Sequence, residues 1–204
     1  KDYKNYFATT TVGREMIYYE VPISWAKLVL EGFSPLAMSG SHTAYSLLFP
    51  MEVIFENFVA KYLTQRVSRP QKLTTQLQSK SLVNYNGKSY FRLKPDIYLH
   101  NGTDNDIIMD TKWKLIDQKK SSGTEKFGLS QSDFYQMLGY GHKYLNGVGE
   151  LVLIYPKTPN FDLPLEYTFN YDDKGNLKLK VVPFDITHQC KERIDLNYIG
   201  ICNT

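Results

Sequence analysis

Phe91-Arg92-Leu93-Lys94-Pro95-Asp96-Ile97 and, after a polar turn, Ile107-Ile108-Met109-Asp110-Thr111-Lys112 are the two strings that decide the fold. Tyr90 to Leu99 reads as one strand and Ile107 to Leu115 as the next, joined by the turn formers Asn101-Gly102-Thr103-Asp104-Asn105. A hairpin centred on Thr103 places residue 96 opposite residue 110, since 103 − 96 and 110 − 103 are both 7. Cross-strand neighbours hold their Cβ atoms about 5 Å apart. Two carboxylates at that spacing repel each other unless a cation lies between them, and a divalent ion prefers oxygen ligands. Side chains alternate along a strand, so Lys112 shares the face of Asp110 while Thr111 turns away.

Phosphodiester hydrolysis needs that equipment. A metal held by carboxylates polarises a phosphate and acidifies an attacking water. A lysine beside it orients the water or stabilises developing charge. The plainer reading of the same strings is a hairpin with surface Asp–Lys pairs, which are common and weak. The flank favours chemistry: Asp110 follows the apolar Ile107-Ile108-Met109, and a carboxylate at the end of a buried strand is costly without a partner or a role.

Upstream, Leu47 to Val67 is expected to be a helix with an apolar stripe of Phe49, Val53, Phe55, Phe58, Val59 and Leu63. Glu56, on its polar side, could reach the same metal directly or through water; the alternative is a solvated glutamate, and Glu52 fits that alternative better still. Gln76 to Val83 alternates as a strand does, and Asn86-Gly87 signals a hairpin turn.

Downstream, Asp117 to Phe127 reads as an exposed, Lys-rich loop. Lys114, Lys119, Lys120 and Lys126 either grip DNA phosphates or are simply solvated. Trp113 should point opposite to Lys112, into the core. A second helix is expected from Gln131 to Leu145, opened by a capping box of Ser130 with Asp133 and stopped by Asn146-Gly147. Gln136 and Tyr140 lie one turn apart on one face. Gln136 could contact a metal-bound water or a phosphate with Tyr140 in support, or the pair is a polar helix edge with a half-buried tyrosine. Leu151 to Tyr155 suits a buried strand ended by Pro156. Leu165 to Tyr171 and Leu177 to Phe184 suggest a closing hairpin around Asp173-Lys174-Gly175-Asn176.

Arg14 to Glu31 has partly helical spacing interrupted by Pro22, and Gly32 to Ser46 reads as a loop. The expected organisation is a helical and loop annex over 1–46 leading into a domain over 47–204. Lys at position 1 reads as the mark of a fragment of a longer subunit. The net charge of +3 permits DNA binding without arguing for it. Cys190 and Cys202 make neither a zinc site nor a disulfide framework, which points to a reducing, cytoplasmic setting. His42, His100, His142 and His188 lack zinc-protease spacing. No nucleotide-binding loop or nucleophile elbow is present, so no bound nucleotide is expected on the chain itself. No apolar run is long enough for a membrane helix, and no membrane partner is expected.

With these residues in view, Phe91-Arg92-Leu93-Lys94-Pro95-Asp96-Ile97 and Asp110-Thr111-Lys112 resemble the PD-(D/E)XK nuclease signature. Gln136-Met137-Leu138-Gly139-Tyr140 resembles the QxxxY element of some branches of that superfamily, and Glu56 resembles its first-helix acid. Gly123-Thr124-Glu125-Lys126-Phe127, Phe134-Tyr135-Gln136-Met137 and Leu153-Ile154-Tyr155-Pro156 look like the McrC family, the nuclease subunit of the McrBC modified-cytosine restriction system. The resemblance covers Leu47 to Pro156. It implies an α/β (α+β) restriction-endonuclease-like core, a central mixed sheet flanked by helices. It further implies double-stranded DNA as substrate and an McrB-like GTP-hydrolysing AAA+ partner, with GTP reaching the system only through that partner.

The expected site is Asp96, Asp110, Lys112, Glu56 and Gln136, with Asp96, Asp110, Glu56 and the Thr111 carbonyl around Mg²⁺ (or Mn²⁺) and Tyr140 among the DNA contacts. Double-strand cutting would require two sites acting together, as in a dimer. Two rival readings are a nuclease fold that has lost catalysis and activates a motor partner, and a DNA-binding module without chemistry.

Overall fold

The computed structural model describes residues 50–102, 105–187 and 192–201, with a few isolated positions before them. The chain divides into two units, Lys1–Phe49 and Pro50–Thr204, and the second is described below. The annex expected over 1–46 lies outside the described residues, as do His42, His188, Cys190 and Cys202.

Eight strands and two longer helices follow one another in the described part: α1 (Met51–Thr64), β1 (Lys72–Thr75), β2 (Lys80–Tyr85), β3 (Lys88–Leu93), β4 (Ile97–His100), β5 (Ile107–Thr111), α2 (Gln131–Tyr144), β6 (Gly149–Pro156), β7 (Phe169–Asn170) and β8 (Leu177–Phe184). Six strands form one sheet in the order β1-β4-β5-β6-β8-β7. Its β5–β6 and β6–β8 pairs are parallel and the other pairs antiparallel. The sheet is therefore mixed, with α2 forming the crossover from β5 to β6, as parallel neighbours require.

Each face of the sheet has its own core. Ile97, Leu99, Ile107 and Met109 pack with Phe55, Val59 and Leu63 of α1. Ile108, Leu151 and Leu153 pack with Met137 and Tyr140 of α2. All five residues of β5 are buried, the signature of a central strand covered on both sides. Full burial of each such aliphatic side chain contributes about 1.5–3 kcal/mol. Even-numbered residues of β5 thus face α2 and odd-numbered ones face α1. Trp113 follows the odd set and packs against Phe55, ring centroids 5.4 Å apart and tilted by 56°.

Several expectations need correction. Tyr90 to Leu99 is not one strand. Pro95 lacks the N–H that a ladder needs, and the chain breaks at Lys94-Pro95-Asp96. β3 pairs with β2 in a separate two-stranded sheet, and β4 enters the main one. The strand begun at Ile107 ends at Thr111, before Leu115. β1, which carries no alternation, was not expected; it pairs with β4. On α1 the apolar stripe is only partly used: Val53 and Phe58 are 49% and 40% exposed. Asn86 and Gly87 both take positive φ, 47° and 74°, the turn that Asn-Gly favours. Asn146 and Gly147 do the same at 54° and 80°, and the Gly147 N–H caps the Gly141 carbonyl at the end of α2.

Candidate active site

The β4–β5 register pairs Ile97 with Met109 and Leu99 with Ile107. One step beyond the Ile97–Met109 pair, Asp96 comes beside Asp110, as a turn centred on residue 103 demands. Residues 103 and 104 themselves lie outside the described residues. Both acids sit where the strands run out, at the end of the sheet reached by β5 pointing forward and β4 just beginning.

Asp110 is 1% exposed. Its carboxyl is pushed up to about 7, first by burial and then by the charge of Asp96, against the pull of Lys112. Lys112 Nζ donates to Asp110 Oδ2 and, at 3.1 Å, to Gln136 Oε1. Gln136 Nε2 donates to the Tyr140 hydroxyl at 2.7 Å, and that hydroxyl donates to the Lys94 carbonyl at 3.0 Å. A directed chain of donors therefore leads from Lys112, just past the end of β5, across one turn of α2, to the residue two before Asp96.

Asp96 Oδ2 accepts from both the Thr111 N–H and its hydroxyl, each at 2.7 Å. Burial raises its pKa; Glu56 adds to that rise, whereas the Thr111 hydrogen bonds and Lys112 oppose it. Thr111 does not turn away from the site, as alternation suggested. Its hydroxyl reaches around the strand end and fixes the Asp96 rotamer.

Glu56 lies close enough to act on Asp96 electrostatically and accepts a 2.8 Å hydrogen bond from Gln76 Nε2. Among the described residues no set of three or more acids, histidines or cysteines is gathered tightly enough to hold a metal by side chains alone. Glu56 therefore does not close a three-carboxylate cage with Asp96 and Asp110.

Asp133 was read as a cap and is not one. Ser130 makes no side-chain cap hydrogen bond to α2. The Asp133 carboxylate is 4% exposed and turned inward, accepting from Lys114 Nζ at 2.9 and 3.0 Å and from the Tyr155 hydroxyl at 3.3 Å. Lys114, expected to hold phosphate, is committed to this pair, although its side chain remains 47% exposed. Tyr140 is 3% exposed, so it supports Gln136 from beneath and does not contact DNA as a surface residue would. Lys119, Lys120 and Lys126 are exposed on the loop after β5. His100 hydrogen-bonds Asp106 at 2.8 Å, at the far end of the β4–β5 hairpin.

Four carboxylates (Glu56, Asp96, Asp110, Asp133) and two ammonium groups (Lys112, Lys114) share this region. Fully ionised they sum to −4 + 2 = −2, the charge that one divalent cation would neutralise. Two carboxylates with open positions for water and phosphate oxygen are a donor set that suits Mg²⁺, which retains waters and seldom takes an all-protein cage.

A mixed sheet between helices, with paired acids and a lysine at the exit of its central strand, defines an α+β domain built around a polar, electronegative centre. The family of McrBC 5-methylcytosine restriction system components matches residues 1–156, and the chain belongs to it. A chain of the refined half-complex from the tetradecameric assembly of Thermococcus gammatolerans McrB AAA+ hexamers with bound McrC shares the fold, with a TM-score of 0.50 at 19% identity. The alignment covers 89% of this chain and 36% of that one, so the present sequence spans well under half of its relative. No curated protein matches.

Proposed function

We propose that this chain carries the nuclease centre of a McrBC-type restriction system, with a PD-(D/E)XK core that hydrolyses phosphodiester bonds in double-stranded DNA bearing modified cytosine. It would act with an McrB-like, GTP-hydrolysing AAA+ partner, and two copies would supply the two cuts. The observation that carries this reading is Asp110: a buried carboxylate beside a second one, with Lys112 bonded to it. Burying like charges together is costly, and catalysis at a metal-bound phosphate is a reason to retain them.

Asp96 and Asp110 would hold Mg²⁺ or Mn²⁺, with the Thr111 carbonyl and, through water, Glu56 as further oxygens. The ion would polarise the scissile phosphate and acidify the attacking water. The remaining work falls to the chain. Thr111 holds Asp96 in one orientation, and Gln136 braces Lys112. Lys112 Nζ orients the water and meets charge developing on the phosphate, a placement worth about 10²–10³ in rate for a preorganised donor.

The test is plasmid cleavage by the full-length subunit with its GTPase partner, Mg²⁺ and GTP. Lys112→Ala and Asp110→Asn should each lower cutting at least about a hundredfold and leave stimulation of the partner's GTPase intact. Equal cutting by wild type and both variants would move the active site elsewhere. A wild type that never cuts, beside a validated pair that does, would favour a scaffold that has lost catalysis.

A further inference from the structure

The β2–β3 ribbon stands apart from the main sheet and is exposed along nearly its whole length. A lone two-stranded ribbon is at best marginally stable, and this one is tethered at its base. Tyr144 donates to the carbonyls of Leu77 and Leu93 at 3.0 and 3.1 Å, and Leu82 lies against Gly139 of α2. The register pairs Val83 with Tyr90 and Tyr85 with Lys88. Alternation then gathers Val83, Tyr85, Lys88, Tyr90 and Arg92 on the face opposite Leu82.

That outward face is costly as it stands. Tyr85 and Tyr90 are 74% and 43% exposed, their rings in contact at 6.4 Å. Phe91, which alternation assigns to the Leu82 face, is nevertheless 73% exposed and holds a φ of 55°, a backbone conformation that an aromatic residue seldom adopts and that is found where function maintains strain. The charges are of one sign. No Asp or Glu occurs between Glu56 and Asp96, and on the ribbon and its exit Lys80, Lys88, Arg92 and Lys94 are the only charged side chains. Among the described residues none of these four forms an ion pair. The ribbon runs directly into Lys94-Pro95-Asp96, so whatever it grips is presented to the candidate site.

We propose that β2–β3 is a DNA-contacting arm, which lays its basic and aromatic face on the duplex beside the phosphate to be cut. The inference rests on the nuclease reading above and adds the surface by which the substrate is held. A polyanion matches the uniform positive charge, and an acidic protein surface is the alternative that the experiment separates. Exposed rings on a basic two-stranded ribbon are the equipment for groove and base contact.

The experiment measures binding of the full-length subunit to a double-stranded oligonucleotide, without divalent metal, across a salt series. Lys88→Ala with Arg92→Ala should weaken binding about tenfold or more and reduce the slope of log K against log salt by about 1.8, two phosphate contacts' worth. Tyr85→Ser with Tyr90→Ser should weaken binding and leave the slope unchanged. All four side chains are exposed, so the melting temperature serves as the folding control. Unchanged affinity and slope would overturn the proposal, as would loss of association with the AAA+ partner while DNA affinity persists. Because the readout is binding and not cleavage, a wild type that binds yet fails to cut would count against the nuclease reading alone.

Discussion

Tyr140→Phe removes one oxygen atom from the middle of the donor chain and nothing else. The ring is 3% exposed and packed against the sheet, so its apolar contacts survive. Two hydrogen bonds are lost, the one accepted from Gln136 and the one donated to the Lys94 carbonyl. Each is worth about 0.5–1.5 kcal/mol net. The exposed Gln136 amide can turn to water, which places its share at the low end; the backbone carbonyl beneath it has less recourse. A total near 1–2 kcal/mol follows, and at about 2–4 °C per kcal/mol for a chain of this size the melting temperature should fall by about 2–8 °C. Scanning calorimetry reads this directly. Gln136→Ala, which leaves Tyr140 bonded to Lys94, should cost less, and the double variant should show coupling of about 0.5 kcal/mol or more. If the chain positions Lys112, cleavage should fall in both single variants by more than their stability loss explains. A melting temperature unchanged within a degree, or additive single effects, would refute the linkage drawn through this hydroxyl.

Asp110 gives a pH signature. Its folded-state pKa is raised to about 7 against an ordinary value near 4, so the folded protein binds the extra proton. In metal-free protein its contribution to stability should therefore be present below about pH 4 and decline as pH rises towards about 7. The difference in unfolding free energy between wild type and Asp110→Asn, followed by denaturant titration, should change across that window. Added Mg²⁺ should restore wild-type stability at pH 8 in proportion to the logarithm of its concentration, and should not act on the variant. The Lys114–Asp133 pair should respond asymmetrically. Lys114→Met strands a buried carboxylate and should cost about 3–5 kcal/mol. Asp133→Asn leaves a half-exposed ammonium free to turn to water and should cost nearer 1.5–3 kcal/mol; urea unfolding ranks the two.

The features legible in the sequence were those set by local chemistry. Asn86-Gly87 and Asn146-Gly147 both take left-handed backbone, as that pair favours at a turn or helix end, and a symmetric turn fixes the 96–110 register by counting. Trp113 followed from alternation alone. The missed features depend on packing. Asp133 at the third position of a helix can turn back to the cap or inward to a lysine, and only the presence of Lys114 and Tyr155 beneath it decides. β1 is four residues, Lys72–Thr75, with no apolar rhythm, and becomes a strand because β4 offers it an edge. Pro95 did mark the break between β3 and β4; reading through it merged two sheets into one strand. The Thr111 hydroxyl reached Asp96 despite alternation because the strand ends there, and past a strand end the two faces are no longer separated.

The donor chain described above begins and ends within residues 94–140, a single hairpin and one crossover helix. Its links nevertheless bridge 24 and 46 positions of sequence, and loop closure costs only slowly more as such spans lengthen. β6 and β8 are largely buried too, and yet contribute no side chain to the donor chain. The donor chain and the β6–β8 side of the sheet are thus allotted to different stretches of the chain. Under the proposed function, substitutions along β8 should reduce cleavage only by lowering the folded fraction, a loss that a stabilising osmolyte would reverse, whereas those between Lys94 and Tyr140 would stay impaired in a fully folded protein.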